Sequence, residues 1–218
     1  MLRLAKRLAA SPRLVLLLLW AFATLLNLTK AFHIDDTVHL EAAQWIQQHP
    51  FAPMSGSINW DHVSQPLYTS NHPPLYFYLV AAVGSLTGFS EVPLHLFQSL
   101  FTLLALVYFY KLLLLFHKEY ALVGTCLLAL GPAFLVSQNL MIDIPILSLS
   151  IVFVYLLLKE EDAHRVRRYY MAALLLSAGL LFKYTLLPLY LVLLYAALRE
   201  RKYNLIPAVL VPMAVLAV

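Results

Sequence analysis

Charge is scarce in this sequence: of 218 residues only 12% are Asp, Glu, Lys or Arg, against 62% that are hydrophobic. That balance excludes an ordinary water-soluble domain and points to a chain that crosses a membrane several times. Cysteine is nearly absent too. The single Cys126, set inside an apolar run, excludes an internal disulfide and any CxxC motif, and no HExxH spacing occurs. A net charge of +4 does not signal nucleic acid, because the bases fall in short clusters between apolar runs, not in one patch interleaved with aromatics. Also missing is a good small-x-small cleavage site after Arg3, Lys6, Arg7, Arg13 and the run Leu14 to Leu28; only the weak Thr29-Lys30-Ala31 is offered. The start therefore reads as an uncleaved signal-anchor. The sequon Asn27-Leu28-Thr29 lies within that run, where glycosylation does not reach.

What the sequence does hold is a succession of apolar runs: Leu14 to Thr29, Pro73 to Phe89, Leu94 to Phe116, Ala121 to Val136, Ile144 to Leu158, Tyr169 to Phe182, Tyr184 to Leu198 and Leu205 to Val218. About 20 residues cross a bilayer core, so several runs need polar flanks to span. If every run crosses and the amino terminus is inside, five bases lie inside and ten outside, against the positive-inside rule. If Pro73 to Phe89 stays at the outer surface, thirteen lie inside and two, Lys30 and Lys183, outside. Pro73-Pro74, Gly84 and Gly88 also suit a juxtamembrane helix better than a span. The expected fold is all-α, a multi-span transmembrane helical bundle forming one module: a first span within 1–29, a long outer loop over 30–93, and five or six further spans over 94–218. The last run has no polar stop, so the chain is expected to be the amino-terminal part of a longer protein.

The outer loop holds six of the eleven acids once Asp143 is counted with it, and five of the eight histidines: His33, His39, His49, His62 and His72. Thr37 to Gln48 is expected to be an amphipathic helix, with Val38, Ala42, Trp45 and Ile46 at helical spacing and Asp35 or Asp36 as its N-cap. Pro50 to Gln65 is turn-rich and polar, suited to a loop folding over a cavity.

The candidate chemistry begins with Asp35 and Asp36. One can cap the helix; the other is unexplained by capping. His39 stands four residues from Asp35 and three from Asp36, so one helical face can pair a carboxylate with an imidazole, either as a base with an orienting partner or as two ligands of a divalent metal ion. Asp143, in Asn139-Leu140-Met141-Ile142-Asp143-Ile144-Pro145, is either a functional acid near membrane depth or a turn residue capping the next helix. Lys183 joins two runs of about 21 to 23 Å, shorter than the roughly 30 Å hydrocarbon core. Its ammonium is expected to face a cavity or an anion unless it snorkels to the headgroups. His72, before Pro73-Pro74, caps or packs on sequence grounds alone, and Tyr76, Phe77 and Tyr78 are expected to form an interface belt.

Taken in order, the acidic pair after the first span, the amphipathic helix, His72-Pro73-Pro74-Leu75-Tyr76, Met141-Ile142-Asp143 and Gly179-Leu180-Leu181-Phe182-Lys183-Tyr184 resemble the GT-C type polyprenyl-phosphate-sugar-dependent membrane glycosyltransferases. That superfamily includes the protein O-mannosyltransferases and the lipid A aminoarabinose transferases. The resemblance covers about 30–198. It implies that Asp35 is the general base, with Asp36 in place of the family's glutamate, that Asp143 is the second acid, and that His72 and Lys183 attend the donor phosphate. Asp36 and His39 become a supporting or metal-binding shell. The family commonly carries an arginine five residues before the second acid; here that position is Gln138.

The implied activity is transfer of a sugar from a polyprenyl phosphate to a hydroxyl of a lipid, glycan or protein. It would take place on the outer face of a bacterial plasma (inner) membrane, with the amino terminus cytoplasmic, membrane lipids as surroundings and no nucleic acid as partner. A transporter or channel with an outer acidic site, or a non-catalytic assembly subunit, would also use such residues. The lack of an internal repeat or paired broken helices weighs against transport.

Overall fold

The computed structural model of the protein describes residues 11–216, apart from 61–62, 71, 137, 160–163 and 201–202. Arg3, Lys6, Arg7, Asp61, His62, Asn71, Glu160, Glu161, Asp162, Arg201 and Lys202 lie outside the described residues. The described chain is mostly helical.

Helix α1 (Pro12–Asn27) starts on a proline, whose fixed φ and missing N–H suit a first turn. It packs on the long α4 (Glu91–Leu114), where the Trp20 indole N–H donates to the Ser99 carbonyl at 2.9 Å. Asn27, the first residue of the sequon, is buried. Its amide donates back to Ala23 O at 2.8 Å and across to Leu135 O at 3.0 Å, which explains a polar residue at that depth.

Helix α2 (Asp36–Gln48) follows the expected amphipathic stretch, with His39, Ala42, Ala43 and Ile46 buried at helical spacing. The expected cap is not made. Asp35 occupies the N-cap position in helical geometry (φ −72°, ψ −20°) without a side-chain cap bond. Asp36 Oδ2 accepts instead from the His33 N–H, at 2.7 Å, ahead of the helix.

The turn-rich stretch after α2 contains a small antiparallel hairpin, β1 (Ser57–Trp60) with β2 (Val63–Pro66), so the loop is not wholly irregular. Ser57 lies opposite Pro66, and a hydrogen bond from Leu67 N to Gly56 O at 2.9 Å closes its base. Pro66 is tolerated because it ends its strand.

Helix α3 (Leu75–Thr87) lies against α2 with Tyr76, Phe77, Val80, Ala81 and Gly84 buried. This corrects the reading of the aromatic series as an interface belt. Tyr76 and Phe77 are wholly buried, and the Tyr76 hydroxyl is satisfied there by Gln98 Oε1 at 2.8 Å; Tyr78 donates to Pro50 O at 2.5 Å. Composition cannot separate these two fates. The helix ends where Gly88 adopts φ +76° and donates its N–H to Gly84 O at 2.8 Å, and the chain turns back into α4.

The run Ala121 to Val136 is not one helix. It divides into α5 (Ala121–Ala129) and α6 (Pro132–Leu135), because Pro132 has no N–H to continue the ladder and restarts it as a first residue. Helices α7 (Asp143–Leu158), α8 (Arg165–Leu180), α9 (Pro188–Glu200) and α10 (Ile206–Leu216) complete the body. Helix α7 packs on α4 and on α8, and α8 on α10. One core, including Ala42, Tyr76, Phe77, Leu94, Ile142 and Phe182, underlies α2 and α3; another, including Phe153, Leu156, Ala172, Leu176, Leu193 and Val209, joins α7 to α10.

Among the described residues one helix, α4, is long and apolar enough to cross a membrane; α1, α3, α7 and Tyr203–Leu216 are shorter apolar helices.

Candidate active site

Five of the residues singled out in the sequence, Asp35, His39, His72, Asp143 and Lys183, border one cavity of about 420 Å³. It is assembled from five stretches. The start of α2 supplies Asp35, Val38 and His39. The hairpin and the turn after it supply Ile58, Gln65, Pro66, Thr69 and Ser70. His72 precedes α3; Met141, Ile142, Asp143 and Lys183 come from far along the chain.

Several ties hold these stretches together. The Lys30 ammonium donates to Val136 O at 2.9 Å and to Asn139 Oδ1 at 2.6 Å, fastening the end of α1 to the segment before Asp143. Gln98, which accepts from Tyr76, donates to Met141 O at 2.7 Å. Lys183 sits in extended geometry after α8, its own N–H bonded to Gly179 O at 2.9 Å. A Cβ at Gly179 would meet the Leu186 Cδ1 at 2.4 Å, so any side chain there would push the tip of Leu186 aside. Phe182 anchors the turn in the core, edge-on to Tyr76 at 5.5 Å between centroids, and Leu75 N donates to Leu181 O at 3.2 Å. Thus α3 and the Lys183 turn are joined directly.

The electrostatics of the cavity are mixed. Lys183 Nζ stands 3.4 Å from Asp143 Oδ1, so the cation expected to face an anion faces this carboxylate. Asp143 is the first residue of α7, favourably placed at a helix N-terminus, and remains half exposed. Asp35 Oδ2 lies 3.4 Å from His33 Nδ1. That nitrogen also accepts from Asp35 N at 3.3 Å, and a nitrogen that accepts an N–H has no proton for the carboxylate.

His39 does not pair with the carboxylate of Asp35. Its Nδ1 lies 3.2 Å from the Asp35 backbone carbonyl. A carbonyl only accepts, so Nδ1 carries the proton. Burial lowers the His39 pKa to about 4, with the Asp35 carbonyl opposing the shift and His72 adding to it, so the ring is neutral at neutral pH. His72, tilted against His39 at 6.0 Å between centroids, is likewise lowered by burial and then by nearby Lys183, with Asp143 opposing.

Asp36 is the candidate that the structure does not bring to the cavity. It is fully buried beside the cavity wall. Burial raises its pKa, while the His33 N–H and the charge of His95 pull it back. Among the described residues no group of three or more His, Cys, Asp or Glu side chains is arranged to hold a metal ion. Gln138 is buried, donates to Phe134 O at 3.0 Å, and does not line the cavity. Sequence reasoning missed the wall formed by Ile58, Gln65, Pro66, Thr69 and Ser70. Only the polar, turn-rich texture of that stretch pointed toward a cavity.

A mostly helical chain whose acids, imidazoles and one lysine converge on a cavity beside apolar helices fits the membrane-associated glycosyltransferases, and relatedness gives the same class. The chain belongs to the dolichyl-phosphate-mannose-protein mannosyltransferase family, whose sequence profile matches residues 71–218. The match includes His72, Asp143 and Lys183 and begins after Asp35 and Asp36. No curated protein and no solved structure is a significant match to the chain.

Proposed function

We propose that the cavity is the donor and acceptor site of a polyprenyl-phosphate-dependent glycosyl transfer, with the sugar passing to a hydroxyl in a single inverting displacement. The observation that carries this reading is the shared cavity of Asp35, His72, Asp143 and Lys183, residues separated by up to about 150 positions in a chain of a mannosyltransferase family. Asp35, partly exposed at the cavity, takes the proton of the acceptor hydroxyl as that oxygen attacks the anomeric carbon. The bond from that carbon to the phosphate oxygen breaks, and the electron pair leaves with the phosphate. Lys183 and His72 stabilise the departing charge. Lys183 is shared with Asp143 before the donor arrives. His72 is uncharged in the empty cavity, and a nearby phosphate favours its protonated form. Asp143 holds Lys183 in place and orients the acceptor. Asp36 supports the start of α2 from within the protein.

The same reading places the cavity at the outer face of a plasma membrane, with the amino terminus cytoplasmic and several short helices crossing beside α4. The distribution of basic residues supports it. So do the outward apolar side chains Leu14, Leu17, Leu18, Phe22, Leu25 and Leu26 on α1 and Val123 and Leu127 on α5, a surface that water would not favour. A cysteine introduced at Ser90 should react with a membrane-impermeant reagent from outside intact cells; reaction only after permeabilisation overturns this topology. For the activity, membranes containing the chain are incubated with radiolabelled polyprenyl-phosphate mannose. Turnover that Asp35→Asn removes is the expected result, whereas transport of the lipid without turnover, or neither, rejects the reading.

A further inference from the structure

Among the described residues, two polar atoms at the cavity have no partner. His39, 4% exposed, spends its Nδ1 proton on the Asp35 carbonyl and leaves Nε2 buried with no hydrogen bond. Ser70 Oγ, on another stretch that lines the same cavity, is also buried and unpaired. Buried polar atoms are almost always satisfied, so an orphaned pair bordering one cavity marks groups that a ligand completes.

The tautomer restricts what that ligand group is. A neutral imidazole protonated on Nδ1 offers only a lone pair at Nε2. It repels phosphate oxygens, which are acceptors themselves, and requires an O–H or N–H donor. The Ser70 hydroxyl can both donate and accept. A group that donates to one and accepts from the other is a hydroxyl. The His39 ring lies within electrostatic reach of His72, Asp143 and Lys183, so it stands beside the groups assigned to the phosphate and not apart from them. The aromatic wall behind it, with Tyr76 and Phe77 edge-on at 5.6 and 5.7 Å between centroids, holds the ring in place.

We propose that His39 Nε2 and Ser70 Oγ form the sugar-recognition side of the cavity, accepting from and donating to hydroxyls of the glycosyl group carried by the lipid donor, while Lys183 and His72 face its phosphate. This rests on the donor reading above and assigns His39 to ligand hydroxyls, not to a metal ion or to proton transfer. It divides the cavity into one side that reads phosphate and another that reads sugar.

The test compares binding of polyprenyl-phosphate mannose with that of polyprenyl phosphate, which lacks the sugar, to the purified full chain in lipid nanodiscs. The wild-type chain should prefer the sugar-bearing lipid. His39→Leu and Ser70→Ala should each reduce that preference by roughly 3- to 10-fold, the value of one hydrogen bond, while affinity for polyprenyl phosphate changes less than about twofold. His39→Gln, whose amide oxygen can take the place of the Nε2 lone pair, should restore most of the preference. If His39→Leu fails to fold, the milder Ser70→Ala carries the same comparison. Equal weakening of both lipids in the variants, or an unchanged preference, overturns the assignment and leaves the donor reading standing. Failure of the wild-type chain to bind either lipid overturns both.

Discussion

Helix α7 has a different environment at each end, and the contrast separates the candidate site from a structural surface. At its first residue, Asp143 meets Lys183 across an open cavity, in company with a second carboxylate and two neutral imidazoles. At its last turn, another cavity is bordered by Lys159, Arg165, Arg168 and Arg199 with Glu200. There Arg168 is buried and donates to the Leu156 carbonyl at 3.0 Å, and Arg165 is paired with Glu200. Both ends contain cations. At the arginine end, packing and backbone carbonyls absorb the charge, which stitches helices together. At the Asp143 end, opposed charges border a cavity together with two imidazoles whose pKa values burial lowers. Titratable groups perturbed by burial and gathered at a cavity are the better mark of a ligand site.

The sharpest way to break this contrast is at Asp35. Replacing it with Asn should lower sugar transfer by about 10²- to 10⁴-fold, the usual contribution of a positioned general base, with the protein still recovered from membranes. Full transfer by that variant removes the base from the mechanism.

Acid stability gives the next largest effect. His39 has its pKa lowered from 6.5 to about 4, so the unfolded chain binds the proton more readily than the folded one. The stability this contributes is complete above pH 6.5 and is lost as pH falls toward 4, up to about 3 kcal/mol for a shift of this size. Lowering of the His72 pKa acts with the same sign, and the raised pKa of Asp36 with the opposite one. Comparing wild type with His39→Gln isolates the term. Thermal unfolding in nanodiscs should show the wild-type chain losing more stability over that window; parallel curves would argue against a neutral buried ring.

Lys183→Ala should reduce kcat/KM for the lipid donor by about 10- to 100-fold, the range of a charged hydrogen bond to phosphate. A loss confined to the acceptor's KM would instead move Lys183 off the phosphate. A double-mutant cycle of Asp143→Asn with Lys183→Gln should give a coupling below about 1 kcal/mol, because the pair is 3.4 Å apart with its carboxylate well exposed. Smallest of all should be Arg165→Gln at the other end. It removes the ion pair with Glu200 and should cost roughly 0.5 kcal/mol while leaving transfer within twofold. A large loss of transfer there would erase the distinction between the two ends.

Much of the cavity was legible in the sequence because ionisable residues at the ends of apolar runs have few reasons to be there. Asp35, Asp143 and Lys183 stood out on that ground and meet in one place, joined by His72, which the residues alone read as capping or packing and only the family resemblance tied to the site. The amphipathic spacing of Ala42, Ile46 and their neighbours likewise gave α2 its buried face. Direction was not legible. Asp35 and Asp36 are adjacent and chemically alike, yet one borders the cavity and the other is turned inward to the His33 N–H, a choice made by local backbone geometry. Nor could Tyr76 and Phe77 be told from membrane-surface aromatics, since their burial depends on Gln98 and Phe182 arriving from distant helices. The four-residue strands at Ser57–Trp60 and Val63–Pro66 are too short for a periodic pattern, whereas the break at Gly131-Pro132 carried a signal in its proline.

The hydrogen bond from Leu75 N to Leu181 O sets the bore of the cavity. His72 precedes one end of that bond by three residues, and Lys183 follows the other end by two. The separation of imidazole from ammonium is therefore clamped at the floor by a peptide-to-peptide contact and by Phe182 beneath it. The hairpin residues Ile58, Gln65 and Pro66 line the same cavity. Changes in those few residues would therefore alter which ligands fit while the joint between Leu75 and Leu181 stays in place.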